Sequence, residues 1–269
     1  MLVAEASVIN TLRLAIIGLK KYSDVNRIDV IVPDHQQQSF IERLKGLNVN
    51  IIPETHLIAA NDIAQIKKNL GVMASRFGWY LQQFLKWQYR HICNAEHYLI
   101  WDADTVLVQH NNFFADQEPS FNMASEYHKP YFSTMERAFG LTRQVEQSFI
   151  SQYMLINVET LNQLIDNYEA GASIPWFLSL LEHLDRTNPS EFSEYETYGS
   201  YVLTHNLTAK VHLKKDKWFR YGSDVFTLEK NTEFSELEKK FSAYQYVAFE
   251  RHQRNIFHWI YARLRYYLS

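Results

Sequence analysis

Residues 75–108 read SRFGWYLQQFLKWQYRHICNAEHYLIWDADTVLV, and this stretch decides the fold class. Over 75–93, apolar residues recur at the spacing of a helix. Residues 97–101 (HYLIW) form a short apolar run typical of a buried strand, which ends directly at Asp102-Ala103-Asp104. A helix followed by a buried strand is the repeating unit of an α/β domain.

The rest of the chain extends this pattern. Helices are predicted over 8–22, 36–47, 61–70, 158–168, 175–184 and 195–204, and strands over 27–33, 49–53, 121–125, 153–156 and 246–250. We therefore predict a mostly parallel central sheet flanked by helices, followed by a mixed α+β half. Only residues 1–6 precede the first helix, so the opening strand is expected to be very short or missing, and truncation at the N-terminus stays open.

Composition excludes several classes of protein. The chain has 269 residues with 27 Lys+Arg against 30 Asp+Glu, a net charge of −3, which does not suggest a nucleic-acid binder. Cys93 is the only cysteine, which excludes intramolecular disulfides and cysteine-rich zinc sites and is typical of a reducing compartment. Neither a signal peptide nor a run of 18 apolar residues is visible. We expect a cytoplasmic protein, or one peripheral on the inner face of the cytoplasmic membrane.

Glycine is scarce, and its spacing is informative. The 8 glycines include no two closer than seven residues, so no glycine-rich phosphate loop and no G-x-S-x-G elbow can form. A diphosphate could instead be held through a cation. Asp102 and Asp104 stand at the carboxyl end of the predicted strand, where open α/β sheets bind ligands. Two carboxylates suit Mg²⁺ or Mn²⁺, although D-x-D after a strand is also an ordinary turn or helix cap.

Three stretches together resemble GT-A-type glycosyltransferases with a D-x-D motif, of a bacterial surface-polysaccharide type. They are 75–108, 148–165 (SFISQYMLINVETLNQLI) and 192–202 (FSEYETYGSYV). The resemblance implies a GT-A-like, Rossmann-like domain spanning 1–269. It further implies transfer of a sugar from a nucleotide-diphosphate sugar to a glycan or lipid-linked acceptor in lipopolysaccharide or capsule synthesis.

The resemblance also implies how the domain divides. Residues 1–110 would be the nucleotide-sugar-binding half and 111–269 the acceptor-binding half. Asp102 would face the donor ribose or the metal, Asp104 would be the principal ligand of Mn²⁺ or Mg²⁺, and His252, after the strand 246–250, would be a third ligand. His212 is a lesser candidate for that third position.

Further donor contacts are assigned on the same basis. Lys86, sixteen residues before Asp102, would meet the donor diphosphate or sugar, and Arg76 is a second basic candidate. Gln82 and Gln83 could bind sugar hydroxyls, and Asp34, after a strand, could contact the base or ribose. A solvated helix face for Lys86 and a plain turn for Asp34 are the alternatives.

An acidic pair in the resembling segment 192–202 supplies the candidate catalytic base. Glu194 or Glu196 would take the proton of the acceptor hydroxyl, which favours an inverting reaction. Ser193 and Glu196 also have the spacing of a capping box, in which a Glu side chain is tied to backbone. That alternative makes Glu194 the freer carboxylate, whereas the resemblance slightly favours Glu196.

The sequence also allows other functions. The basic, aromatic segment 255–268 could lie on an anionic membrane or pack on the domain. The same carboxylates would serve a Mg²⁺-dependent nucleotidyltransferase or phosphohydrolase. With 17 Tyr, 17 Phe and 6 Trp, a non-catalytic glycan-binding domain is the third candidate.

Overall fold

The computed structural model describes residues 1–170, 173–205, 211–250 and 266. The chain forms two compact units, each assembled from separate stretches. The first unit contains Met1, Pro53–Ile100 and Phe113–Lys215, and the second contains Leu2–Ile52, Trp101–Asn112 and the chain from 216 onward. The units therefore interleave along the sequence.

The second unit is an α/β assembly. Its helices are α1 (Ile9–Tyr22), α2 (Gln37–Arg43), α9 (Gly222–Val225) and α10 (Phe234–Lys240). Its strands are β1 (Leu2–Val3), β2 (Asp29–Val32), β3 (Asn50–Pro53), β5 (Thr105–Leu107), β10 (Trp218–Phe219) and β11 (Tyr246–Ala248).

Two three-stranded sheets organise these strands. One has the order β1-β2-β3, with β1 parallel to β2 and Leu2 opposite Val30. The other has the order β10-β11-β5, in which β10 runs parallel and β5 antiparallel to β11. Helix α1 packs so closely on β5 that a Cβ at Gly18 would lie 2.2 Å from the Leu107 carbonyl oxygen, so only glycine fits there.

The first unit holds the remaining elements. Its helices are α3 (Ala60–Leu70), α4 (Phe77–Gln88), α5 (Lys129–Phe139), α6 (Val158–Glu169), α7 (Trp176–Glu182) and α8 (Glu194–His205). Its strands are β4 (His97–Trp101, whose last residue belongs to the second unit), β6 (Phe114–Ala115), β7 (Glu118–Asn122), β8 (Tyr153–Asn157) and β9 (His212–Lys214). Strand β4 pairs with β8, and β7 lies between antiparallel β6 and parallel β9.

Much of the aromatic content lies in the core of the first unit. The Trp87 ring packs against Trp176 and Phe192 at centroid distances of 5.1 and 5.6 Å, and Phe84 packs against Trp176 at 5.3 Å. All four side chains are almost fully buried. Buried rings of this size contribute strongly to stability, so the many aromatic residues are explained largely by packing.

The α/β class predicted from the sequence is confirmed. The opening strand is present but only two residues long. The predicted helix over 75–93 is α4 with a 3₁₀ turn at each end, Gly71–Arg76 and Tyr89–His91. Helix α5 was not predicted, although Pro130 in its first turn and Gly140 just after its end are ordinary helix boundary signals. Among the described residues, no helix is both long enough and apolar enough to cross a bilayer.

Candidate active site

The Asp102-Ala103-Asp104 segment of the second unit is a tight turn from the end of β4 into β5. The Thr105 amide donates to the Asp102 carbonyl at 3.0 Å, and the Phe249 amide donates to the Asp104 carbonyl at 2.8 Å. Ala103 is buried, whereas Asp102 and Asp104 are half-buried. The backbone of the turn is therefore held from both sides.

These two carboxylates fit a hard divalent cation by the chemistry of their donor atoms. Mg²⁺ and Mn²⁺ prefer oxygen ligands, and Mg²⁺ commonly takes one or two carboxylates together with water and substrate phosphates. Within the described part of the chain, no group of three or more His, Cys, Asp and Glu side chains could hold a metal ion. The predicted third ligand, His252, lies outside the described residues.

Lys86 and Glu194 form a buried ion pair in the first unit. Their Nζ and Oε1 atoms are 2.6 Å apart, and the two side chains are only 5% and 6% exposed. Lys86 also donates to the Tyr195 hydroxyl at 3.2 Å and lies 4.6 Å from the centre of that ring. The alternative of a solvated helix face for Lys86 is therefore wrong.

Gln83 joins the same cluster. Its Oε1 accepts from the Glu194 amide at 3.1 Å, and its Nε2 donates to the Trp79 carbonyl at 3.2 Å. Two residues of α4, Gln83 and Lys86, thus hold Glu194 at the start of α8 by its backbone and by its carboxylate. Their predicted contacts with the donor remain predictions.

Glu196 lies two residues further along α8 in a different environment. Its Oε1 accepts from the Ser148 hydroxyl at 2.5 Å and from the Phe149 amide at 3.2 Å, and no described residue donates to its Oε2. Burial raises the pKa of this carboxyl from 4.5 to about 7, although both hydrogen bonds and the charge of Arg143 lower it. Glu196 therefore titrates near neutral pH.

The capping-box interpretation is only half right. The Glu196 amide does donate to Ser193 Oγ, at 3.3 Å. The Glu196 carboxylate, however, binds Ser148 and Phe149 and not the Ser193 backbone. The inference that Glu194 is the freer carboxylate is wrong, because its ion pair with Lys86 is buried.

The other predicted residues are placed individually. Asp34 is exposed and begins a 3₁₀ turn after β2, and Gln82 is half-buried on α4. Arg76 donates to the Ser190 hydroxyl at 3.0 Å and stacks on Trp79. His212 Nε2 lies 2.8 Å from a Glu118 carboxylate oxygen.

The predicted amphipathic segment 255–268 lies outside the described residues except for Tyr266. The Tyr266 hydroxyl donates to the Lys240 carbonyl at 2.6 Å, and its ring lies 5.7 Å from that of Phe219. At this one position the described contacts are with the second unit's own core.

Sequence reasoning missed the partners that set the state of Glu196. Ser148 and the Phe149 amide lie about fifty residues before it, on the connection that precedes β8. Nothing in residues 148 and 149 alone marks them as carboxylate donors. The resemblance of 148–165 to glycosyltransferases was the one available signal.

Comparisons with known proteins give one family and several distant structures. The sequence model of DUF6492, a family of unknown function, matches residues 5–265. No curated protein matches the chain. The galactosyltransferase LgtC, solved in complex with donor and acceptor sugar analogues, is 10% identical over 99% of this chain and 93% of its own, with a TM-score of 0.45.

Two further structures are as distant. The glycosyltransferase GlyE of Streptococcus pneumoniae TIGR4 is 12% identical over 98% of this chain and 60% of its own, with a TM-score of 0.44. The bifunctional glycosyltransferase WbbM is 12% identical over 94% of this chain and 45% of its own, with a TM-score of 0.45. Scores this low decide nothing about the activity of this chain.

Proposed function

This chain belongs to DUF6492, a family of unknown function, and we propose that it is a metal-dependent glycosyltransferase that uses a nucleotide-diphosphate sugar. The observation that carries the proposal is the Asp102-Ala103-Asp104 turn. It follows a buried strand directly, its backbone is held on both sides, and both Asp102 and Asp104 are half-buried residues. With no glycine-rich loop in the chain, these carboxylates are the means of holding a diphosphate.

Asp102 and Asp104 would bind Mn²⁺ or Mg²⁺ together with the diphosphate oxygens of the donor. When bound, the cation would supply Lewis-acid stabilisation of the nucleoside-diphosphate leaving group. Asp34, in the 3₁₀ turn that follows β2 in the same unit, would contact the base or ribose.

Glu196 takes the proton of the acceptor hydroxyl in this proposal. A general base works best when its pKa lies near the operating pH, and burial brings the Glu196 pKa to about 7. The two hydrogen bonds on Oε1 orient the group and leave Oε2 as the atom that accepts the proton. Glu194, paired with Lys86, has a positioning role at the start of α8. A single displacement assisted by a base inverts the anomeric centre.

The acceptor in this proposal is a glycan or a lipid-linked saccharide, as in bacterial surface-polysaccharide synthesis. In this proposal Glu196 acts on a hydroxyl group, and the acceptor saccharide supplies that hydroxyl group.

Binding of nucleoside diphosphates tests the metal site. Thermal unfolding should be measured with UDP, GDP, CDP and ADP, each with and without Mn²⁺, because a ligand that binds the folded state raises its apparent stability. One of them should stabilise the chain only when Mn²⁺ is present. Asp104→Asn should weaken that binding at least about tenfold. Asp116→Asn, the same change at an exposed turn residue, should leave it unaltered.

The released product then identifies the reaction. Free nucleoside diphosphate, together with an inverted anomeric centre by NMR, agrees with glycosyl transfer assisted by Glu196. Pyrophosphate or phosphate as product would instead indicate a nucleotidyltransferase or phosphohydrolase. Failure of every nucleotide to bind would overturn the proposal and favour a non-catalytic glycan-binding domain. Full binding by Asp104→Asn would overturn the role of Asp102 and Asp104 as metal ligands.

A further inference from the structure

Two arginines of the first unit stack on aromatic rings close to the start of α5. The Arg76 guanidinium lies 4.6 Å from the centre of the Trp79 ring, and that of Arg143 lies 4.8 and 4.9 Å from the rings of Tyr127 and Phe132. Tyr127 is 61% exposed. We call these five side chains the arginine–aromatic surface.

The two halves of this surface are joined through the segment 127–132. The Trp79 ring stacks on that of Tyr131 at 6.1 Å, and the rings of Tyr127 and Phe132 are 5.4 Å apart. Arg76 donates to the Ser190 hydroxyl, while the His128 ring forms a 2.7 Å hydrogen bond with the carbonyl of the same Ser190. Both arginine–ring pairs therefore rest on one short stretch of chain.

The same stretch is tied to Glu196. Ala124, three residues before Tyr127, pairs with Ser148 through two backbone hydrogen bonds of 2.7 and 3.0 Å. Ser148 in turn donates its hydroxyl to the Glu196 carboxylate. Arg143 donates to the backbone carbonyls just before Ser148, and its charge lowers the pKa of Glu196. The surface thus borders the carboxylate that is proposed to receive the acceptor's proton.

The charge of this surface is not neutralised by ion pairing within the described residues. Neither Arg76 nor Arg143 has a described carboxylate within 4.0 Å, and the Nε atom of each is buried without a described hydrogen-bond partner. Glu126 is the acidic residue of the adjoining segment, and its charge opposes that of Arg143 at Glu196. The Nη2 atom of Arg76 already donates to Ser190 and that of Arg143 to the carbonyls of Glu146 and Gln147, so Nη1 is the atom of each guanidinium that can donate a charge-assisted hydrogen bond to a carboxylate or phosphate.

On this surface, aromatic rings lie next to guanidinium groups that have no carboxylate within 4.0 Å among the described residues. Such a combination suits one kind of ligand. The C–H face of a sugar ring packs on an aromatic ring, and an anionic substituent pairs with the guanidinium groups. We propose that the arginine–aromatic surface binds an acceptor saccharide that carries a carboxylate or phosphate. This inference rests on the proposed function, because it names the acceptor that Glu196 would deprotonate.

Three small sugars on the full chain test the inference. Methyl glucuronide, glucose 6-phosphate and methyl glucoside should be titrated without nucleotide and followed by calorimetry, with inorganic phosphate as a fourth probe. At least one of the two anionic sugars should bind about tenfold or more tightly than methyl glucoside and inorganic phosphate, because it combines a sugar ring with a charge-assisted hydrogen bond to a guanidinium group. Which of the two it is separates a carboxylate from a phosphate acceptor.

Matched variants locate the binding. Arg76→Gln and Arg143→Gln should each weaken the anionic sugar about tenfold. Lys129→Gln, which removes the same charge from an exposed residue of α5, should leave binding unaltered. Thermal midpoints of all variants show whether the fold is kept. A third variant, Tyr127→Ala, removes an exposed ring without changing the net charge and should also weaken binding.

Several results would overturn this inference. One is equal binding of charged and neutral sugars, and another is inorganic phosphate binding as tightly as the tighter of the two anionic sugars. Loss of Mn²⁺-dependent nucleoside-diphosphate binding in Arg76→Gln or Arg143→Gln would assign the arginines to the donor and leave the proposed function standing. Tight binding of an anionic sugar together with an unaffected Asp104→Asn variant would instead contradict the proposed function and leave the saccharide surface standing.

Discussion

Replacing Glu196 by Gln should remove a pH-dependent destabilisation from the chain. Burial raises the pKa of Glu196 from 4.5 to about 7, against the hydrogen bonds from Ser148 and Phe149 that lower it. Each unit of difference between the pKa in the folded state and that in the unfolded state corresponds to about 1.4 kcal/mol in the free energy of unfolding. Ionised Glu196 therefore destabilises the folded state by about 3 kcal/mol.

The direction of the effect follows from proton binding. Between pH 4.5 and about 7 the folded chain holds a proton on Glu196 that the unfolded chain has already released. Stability accordingly falls as the pH rises through this window, and the loss is complete above pH 7. The amide introduced by Glu196→Gln is neutral at every pH and can still accept both hydrogen bonds through its oxygen, so the substituted chain lacks this fall.

Urea unfolding at pH 5 and at pH 8 measures the difference. The free energy of unfolding of Glu196→Gln, relative to the unaltered chain, should rise by about 2–3 kcal/mol between the two pH values. Other titrating groups are common to both chains and cancel. Glu136→Gln, an exposed residue of α5, serves as the control and should show no such rise. Parallel pH profiles for Glu196→Gln and the unaltered chain would refute this account of the Glu196 environment.

Two further substitutions test the packing that supports the site. Lys86→Met removes the cation that lies 2.6 Å from the buried Glu194 carboxylate and should lower the free energy of unfolding by about 3–5 kcal/mol, whereas exposed Lys68→Met should lower it by less than about 1 kcal/mol. Equal urea midpoints for the two variants would contradict the ion pair. Gly18→Ala places a Cβ 2.2 Å from a carbonyl oxygen of β5 and should destabilise by about 1–3 kcal/mol or more. A Cβ at Gly78 in α4 would meet no atom within 4 Å, so Gly78→Ala should stabilise the chain by about 0.5–1 kcal/mol. If both glycine variants shifted the thermal midpoint in the same direction, the close packing of α1 on β5 would be contradicted.

Local patterns along the chain were enough to predict most of the elements. Helix α1 and strands β2 and β4 lie where the spacing of apolar residues, and a proline that ends a strand, predict them. Helix α5 escaped prediction, and the two compact units divide the chain in a way that its local composition does not reveal. Division into units depends on contacts between distant stretches, and such contacts leave no mark on the composition of either stretch.

The candidate site divides in the same way. Asp102 and Asp104 are close neighbours in sequence, so their placement at a strand end was readable without coordinates. Lys86 and Glu194 are 108 residues apart, and their ion pair depends on α4 packing against α8. The spacing of Ser193 and Glu196 correctly predicted that the Glu196 amide donates to the Ser193 hydroxyl. The same spacing could not show that the Glu196 carboxylate would accept from the distant Ser148 hydroxyl instead of from the Ser193 backbone.

By itself, the sequence determined the kinds of chemistry open to this protein. Eight scattered glycines exclude a glycine-rich phosphate loop, and the D-x-D turn after an apolar strand offers oxygen ligands for a cation. Only the tertiary structure decided which carboxylate is paired, which one titrates near neutral pH, and which arginines lack a described carboxylate partner. The physical reason is that a pKa or an ion pair depends on burial and on the groups that folding brings within a few ångströms, and at Glu196 those groups come from 47 and 48 residues away.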